Sequence, residues 1–263
     1  PKGFEAAGLQ AGIKYQNRKD MAIIYSKTPC VVAGTFTTNV VKAAPVKWDM
    51  EVVENSPYAQ AVIVNTGIAN AGTGKEGMEY CIETAKEAGK LLDIPENAVL
   101  VGSTGVIGAQ LPIDRIKAGV KKLIEVKNSS EESATDASKA IMTTDTVNKE
   151  LAVKLDIDGV TVTIGAMSKG SGMIHPNMCT MLGYVTTDAV IEKDVLTKIL
   201  KEDVVDTYNM ISVDGDTSTN DTLLVLANGE AKNPTIKEGT KAYEDFKNAI
   251  HFVNETQAKR LAG

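Results

Sequence analysis

The run Val153 to Gly165, VKLDIDGVTVTIG, constrains this chain more than any other stretch. Val153, Leu155 and Ile157 alternate with polar residues, and Val160, Val162 and Ile164 do so again. That period of two belongs to strands with one face buried. Between them Asp158-Gly159 suits the left-handed backbone of a two-residue hairpin turn. A tight hairpin joins antiparallel strands, so a purely parallel sheet is excluded.

Further strands are expected at 21–26, 30–38, 59–67, 98–108 (AVLVGSTGVIG, running into a Gly-rich turn) and 222–229, where apolar and β-branched residues cluster. Helical spacing links Cys81, Ala85, Ala88 and Leu92, and after Pro112 it links Ile116, Val120, Leu123 and Ile124. Leu196, Ile199 and Leu200 begin another helix. Tyr243, Phe246, Ile250, Val253 and Leu261 line a last one. The class is α/β, with mixed sheets flanked by helices. Hydrophobic residues make up 43% and charged residues 24%, the balance of a soluble globular protein. A net charge of -6 argues against nucleic acid or an anionic membrane as partner. No apolar run nears the ~20 residues of a membrane span. The start, PKGFEAAGLQ, lacks an initiator Met and the apolar core of a secretion signal. Cys30, Cys81 and Cys179 are too scattered for a disulfide framework or zinc cluster, so a cytoplasmic location is expected.

Chemistry is expected at strand ends and Gly-rich turns. Gly102-Ser103-Thr104-Gly105 can aim backbone N–H groups and a hydroxyl at a developing oxyanion, or it can be a plain turn. It has neither GxGxxG nor the lysine of a nucleotide loop. In GAMSKGSGMIHPNMCTMLGYVTTDA (165–189) a polar, Gly-rich segment enters an apolar run at Thr180. A threonine hydroxyl needs a base. Cutting the chain just before it supplies one, because the new α-amine can take the hydroxyl proton. An unperturbed α-amine titrates at about 8, so much of it can be neutral near neutral pH. The plainer reading is a loop entering a core strand. Cys179 with His175, and Ser168 or Ser171 with Lys169, are weaker nucleophile pairs, because neither spacing gives an assured geometry. His251 is expected at the surface. In 212–222, SVDGDTSTNDT, a calcium loop fails because Thr219 and Val225 stand where glycine and glutamate are needed. A polar turn, or a carboxylate-rich wall near a substrate amine, remains.

KGSGMIHPNMCTML, GSTGVIG, IMTTDT, VDGDTSTND and PKGFEAAGLQAGIK occur in an order that strongly resembles the ornithine acetyltransferase (glutamate N-acetyltransferase) family along essentially the whole chain. The resemblance implies stacked mixed sheets like those of N-terminal-nucleophile hydrolases, with a smaller C-terminal domain. It implies self-cleavage between Cys179 and Thr180, giving an α chain of residues 1–179 and the start of a β chain at 180–263. Thr180 is then the nucleophile, Thr104 and Gly105 the oxyanion pair, and Thr146 and Lys169 substrate contacts. The implied reaction moves acetyl from N2-acetylornithine to glutamate in arginine biosynthesis, in an α2β2 assembly. No metal or organic cofactor is implied, and acetyl-CoA serves as a co-substrate only in a bifunctional member. An N-terminal-Thr amidohydrolase or aminopeptidase of similar fold, or an inactive fragment with only a binding role, are the alternatives. Family members continue past Gly263, where a Gly-Glu-Gly-Ala-Thr-like stretch with a substrate-binding Glu is expected. A terminal helix ending here is expected to expose an apolar face.

Overall fold

The computed structural model describes residues 1–170, 181–212 and 217–263. Among the described residues eight strands form one sheet, seven of them along a single path. They are β1 (Phe4–Leu9), β2 (Met21–Phe36), β3 (Ala59–Ile68), β4 (Val99–Val106), β5 (Lys149–Ile157), β6 (Val160–Lys169), β7 (Leu182–Thr187) and β8 (Thr222–Ala227). Their order is β4-β3-β2-β8-β7-β6-β5, with β1 also on β2. The expected hairpin is β5–β6, paired antiparallel from Ile157↔Val160 outward. Asp158 and Gly159 take φ values of 51° and 82°, as the tight turn requires. The pairs β3–β4 and β7–β8 are parallel, so the sheet is mixed.

The two strands expected at 21–26 and 30–38 are one. The first part of β2 pairs with β3 and its second part with β8, with a register shift between Tyr25 and Cys30. Polar Ser26, Lys27 and Thr28 suggest a break in the sequence, yet they form the crossing point between two half-sheets.

Side-chain parity shows how the halves stack. In β4, Val99 and Val101 join one apolar cluster and Leu100 another, and in β3 Ala61 and Ile63 separate from Val62 and Val64 in the same way. In β8, Leu223 and Val225 face a third cluster, whereas Leu224 and Leu226 share the cluster of Val62 and Leu100. Both half-sheets therefore turn one face toward a common inner core. Strands buried on both sides read as continuous apolar runs, which is why 59–64 and 223–227 lack alternation.

Helices cover the outer faces. α1 (Ala44–Asn55) lies beside β4. The face of α2 (Gly74–Leu92) bearing Cys81, Ala85 and Ala88 packs on β3–β4, and that of α3 (Ile113–Val126) bearing Ile116, Val120 and Leu123 packs beside α2 on β1–β2. α4 (Glu131–Ala140) closes the inner core with Ala137 and Ala140, capped where Ser130 Oγ accepts the Ser133 amide. It escapes sequence reading because its buried residues are small. α5 (Lys193–Asp206) packs outside β2, and α6 (Lys241–Ala262) outside β5–β6 and against α5. The expectation of an exposed apolar face on α6 fails. Tyr243, Phe246, Ile250, Val253 and Leu261 are all buried against α5 and the sheet. Among the described residues no helix is long and apolar enough to cross a membrane.

Candidate active site

Thr104 lies near the end of β4 and Lys169 at the end of β6, on opposite half-sheets. Parity places both in the space between the sheets. Thr104 follows Leu100 by four residues and Lys169 follows Met167 by two, and Leu100 and Met167 are inner-core residues. There Lys169 Nζ donates a hydrogen bond of 3.1 Å to Thr104 Oγ1, with both side chains buried. The lysine occupies a lone pair of the hydroxyl and leaves its proton free. A hydroxyl polarised in this way is a stronger donor toward a developing negative charge.

Gly105 follows immediately, exposed, with φ +132°. A Cβ there would lie 2.3 Å from the carbonyl carbon of Gly67 on β3. Any other residue would push the two parallel strands apart, so the Thr104-Gly105 geometry depends on this glycine. Below it, Ser103 Oγ donates to Asn65 Oδ1 at 2.6 Å, and Asn220 Nδ2 donates to the carbonyls of Ser103 and Ala69 at 2.8 and 2.7 Å. The expected turn at Gly102–Gly105 is instead strand: β4 runs on to Val106 because these residues stay paired with β3, and the bonds above tie this end of it to β3 and to the segment before β8.

Lys169 is accompanied by two buried carboxylates. Asp145 accepts Lys149 Nζ at 2.7 Å and the Gly170 amide at 2.9 Å. Burial pushes its carboxyl up, but Lys149, Gly170 and the charge of Lys169 outweigh that and hold it below the ordinary value. Asp221, just ahead of β8, accepts the Met181 amide on Oδ1 at 3.1 Å. Burial pushes its carboxyl up to about 8, against the opposing pull of that amide, Ser218, Lys169 and Thr37. For Lys169 burial pulls the ammonium below its ordinary value, and Asp145 and Asp221 act against it.

Thr146 is exposed. It lines a cavity of about 960 Å³ with Asp145, Arg18 and Lys139. Arg18 holds the loop of Thr146 in place by donating to the Met142 and Thr143 carbonyls at 2.6 and 3.0 Å. Thr180, Cys179, His175, Ser171, Asp214 and Asp216 lie outside the described residues. Ser168 is buried and donates to Gln257 Oε1 at 2.8 Å, so it is a packing residue of the β6–α6 contact. His251, expected at the surface, is half-exposed and pairs through Nδ1 with the buried Asp203 at 2.7 Å.

Sequence reading singles out neither Asp145 nor Asp221. Each sits inside a quoted motif, IMTTDT or VDGDTSTND, so an unexplained acidic residue beside a Thr-rich turn was the available signal.

The Lys169–Thr104 bond links the two half-sheets, and solved structures share their fold. The chain superposes on the L-aminopeptidase D-Ala-esterase/amidase of Ochrobactrum anthropi, described as a variant of the Ntn hydrolase fold, with a TM-score of 0.55 over 99% of this chain and 85% of that one, at 11% identity. Sequence makes the assignment narrower. The ArgJ family model matches residues 5–263, and the chain belongs to that family. It is 49% identical over 262 residues to the arginine biosynthesis bifunctional protein ArgJ of Thermotoga neapolitana, covering 99% of this chain and 65% of that protein. With ArgJ 1 of Clostridium acetobutylicum it shares 51% over 259 residues, covering 98% and 63%. The chain thus spans just under two thirds of the length of these relatives. A solved ornithine acetyltransferase from Mycobacterium tuberculosis, complexed with ornithine, matches with a TM-score of 0.61 and 35% identity over 69% of this chain and 94% of that one. The solved ArgJ of Bacillus halodurans gives 0.63 and 42% over 69% and 92%.

Proposed function

We propose that this chain is the greater part of an acetyltransferase that moves acetyl from N2-acetylornithine to glutamate through an acetyl-Thr180 ester. The observation that carries this reading is the buried Lys169–Thr104 pair between the two half-sheets, in a chain of the ArgJ family. Residues 1–179 and 180–263 then belong to separate α and β chains. The Thr180 hydroxyl attacks the Cys179 carbonyl carbon, the Cys179–Thr180 C–N bond breaks, and the hydroxyl proton passes to the departing nitrogen. Water hydrolyses the resulting ester and frees both the hydroxyl and the new α-amine. The 69% of this chain covered by the solved relatives, which are themselves almost fully covered, is close to the share made up by residues 1–179. That agreement supports the cut.

In turnover the α-amine takes the Thr180 hydroxyl proton as the oxygen attacks the acetyl carbonyl. The Thr104 hydroxyl and the Gly105 turn stabilise the oxyanion, and ornithine leaves with the proton from the ammonium. Glutamate's amine attacks the ester and restores the hydroxyl. Lys169 holds the α-carboxylate that both substrates carry, and Thr146 contributes from the adjoining cavity. No resident cofactor takes part, and acetyl-CoA serves as a second donor in a bifunctional enzyme. The relatives are arginine biosynthesis proteins by name, which supports a place in that biosynthesis. The proposal further takes the enzyme to be cytoplasmic and α2β2.

The test is Thr180→Ala in the full-length protein. Gel analysis is expected to show one uncut chain, and transfer from N-acetylornithine to glutamate is expected to vanish. Normal cleavage in that variant would remove Thr180 from the role.

A further inference from the structure

Among the described residues β4 is an edge strand, so alternate residues along it turn their backbone groups away from β3 and need partners elsewhere. Side chains supply those rungs. Trp48 Nε1 donates to the Val99 carbonyl and Asp49 Oδ1 accepts the Val101 amide, both at 2.8 Å and both from α1. The next residue of that parity is Ser103, whose carbonyl accepts Asn220 Nδ2 at 2.8 Å. This rung does not come from α1. It comes from the segment ahead of β8, on the other half-sheet, and it lands one residue before Thr104. Thr104 takes its own bond from Lys169, again from the other half-sheet.

Asn220 is buried, and its polar atoms are engaged. Nδ2 donates a second bond to the Ala69 carbonyl at 2.7 Å, just past the end of β3. Oδ1 accepts Thr219 Oγ1 at 2.6 Å, the main-chain amide donates to Ser218 Oγ at 3.1 Å, and the carbonyl accepts Thr222 Oγ1 at 3.0 Å. Carbonyls only accept, so two of them fix which end of the side-chain amide faces β4. A peptide unit is planar, so holding the Ser103 carbonyl also holds the nitrogen of the residue that bears the hydroxyl. We propose that Asn220 is the positioning residue for Thr104: it fixes the plane of the 103–104 peptide, so that the Thr104 hydroxyl stays on Lys169 and keeps its aim at the developing oxyanion. The proposal rests on the acyl-transfer reading above and adds a residue to it. No bond is made or broken at Asn220, and the acetyl group never touches it.

Full-length protein carrying Asn220→Asp tests this. The substitution keeps the shape of the side chain and turns the donor facing two carbonyls into an acceptor. The kcat for acetyl transfer is expected to fall on the order of 10², with KM for N-acetylornithine within about twofold, because a displaced donor is missed mainly in the transition state. Two comparisons separate alignment from stability. Trp48→Phe removes the rung at Val99, and it is expected to lower the melting temperature while leaving kcat within about twofold of wild type. In a Thr104→Ala background Asn220→Asp is expected to cost less than about threefold more, because the donor it aligns is already gone. Asn220→Ser, smaller and with one donor, repeats the measurement if the aspartate variant does not fold, with an expected drop on the order of tenfold. Wild-type kcat in a folded Asn220 variant overturns the proposal. So does an equal kcat loss in Trp48→Phe, or an undiminished further loss in the Thr104→Ala background. Failure of both Asn220 variants to fold overturns it too, since Asn220 is then a residue of the fold alone. Wild-type protein that moves no acetyl from N-acetylornithine to glutamate sinks the acyl-transfer reading instead, and that result is read before any variant is made.

Discussion

Asp145 and Asp221 are both buried, and both feel the charge of Lys169, yet their protons respond in opposite directions. Asp145 has a second cation, Lys149, in contact with a side chain only 6% exposed, and it also has two backbone amides, Gly170 and Thr143. Asp221 has one amide, the pull of the Ser218 and Thr37 hydroxyls, and the charge of Lys169 without an ion pair to it. Burial is common to the two sites, so the difference lies in the contacting ammonium that compensates it at Asp145. One carboxyl is held in its charged form, and the other is pushed toward keeping its proton.

Removing the shared cation tests the pairing most severely. Lys169→Met is expected to lower kcat/KM for acetyl transfer on the order of 10³, because Thr104 loses the donor that polarises it and the substrate carboxylate loses its partner. Steady-state kinetics with both substrates measures this. In the same variant Asp145 is expected to stay ionised at pH 7 through Lys149, and Asp221 to rise further.

Asp145→Asn is expected to destabilise by about 3–5 kcal/mol at pH 7, since it strands the buried Lys149 ammonium. Chemical denaturation checks the figure. If Asp145 and Asp221 were equivalent, Asp221→Asn would match that loss.

Instead, Asp221→Asn is expected to change how stability depends on pH. The folded carboxyl holds its proton up to about 8, whereas the unfolded one releases it near the ordinary carboxylate pKa of about 4. Between those limits the unfolded chain binds fewer protons, so wild-type stability falls as pH rises. The Asn variant is expected to lack that slope, as melting temperatures at pH 5 and 8 would show. For Asp145 the sign is reversed: its contribution is present above the ordinary carboxylate pKa and is lost as pH falls through the lowered one.

Thr146→Ala is expected to have the smallest effect, within about 0.5 kcal/mol of wild-type stability because the residue is exposed. A modest rise in KM with unchanged kcat would place it in substrate binding.

The local code of this fold was readable where one residue pattern decides one element. Asp158-Gly159 specified its hairpin, and Cys81, Ala85 and Ala88 specified a helix face. Reading failed where the deciding contact is distant. Ser26 to Thr28 look like a break because nothing local says that β2 changes partners there. Thr104 and Gly105 were visible as a turn of unusual composition, and the family resemblance supplied their role. That Lys169 reaches Thr104 follows from parity in two stacked sheets, which no spacing along the chain reveals.

The strand order has one more consequence. β7 and β8 follow the Cys179–Thr180 bond in the chain, yet in space they stand between β2 and β6, which precede it. A cut there would yield two polypeptides interleaved in one ladder. Neither could leave without unzipping both flanking pairs, so severing the backbone would not loosen the native assembly. Once separated, however, the pieces would have to find each other by diffusion. Recovery after denaturation would then become second order in concentration, and an enzyme that forms as a single chain would survive as an obligate pair.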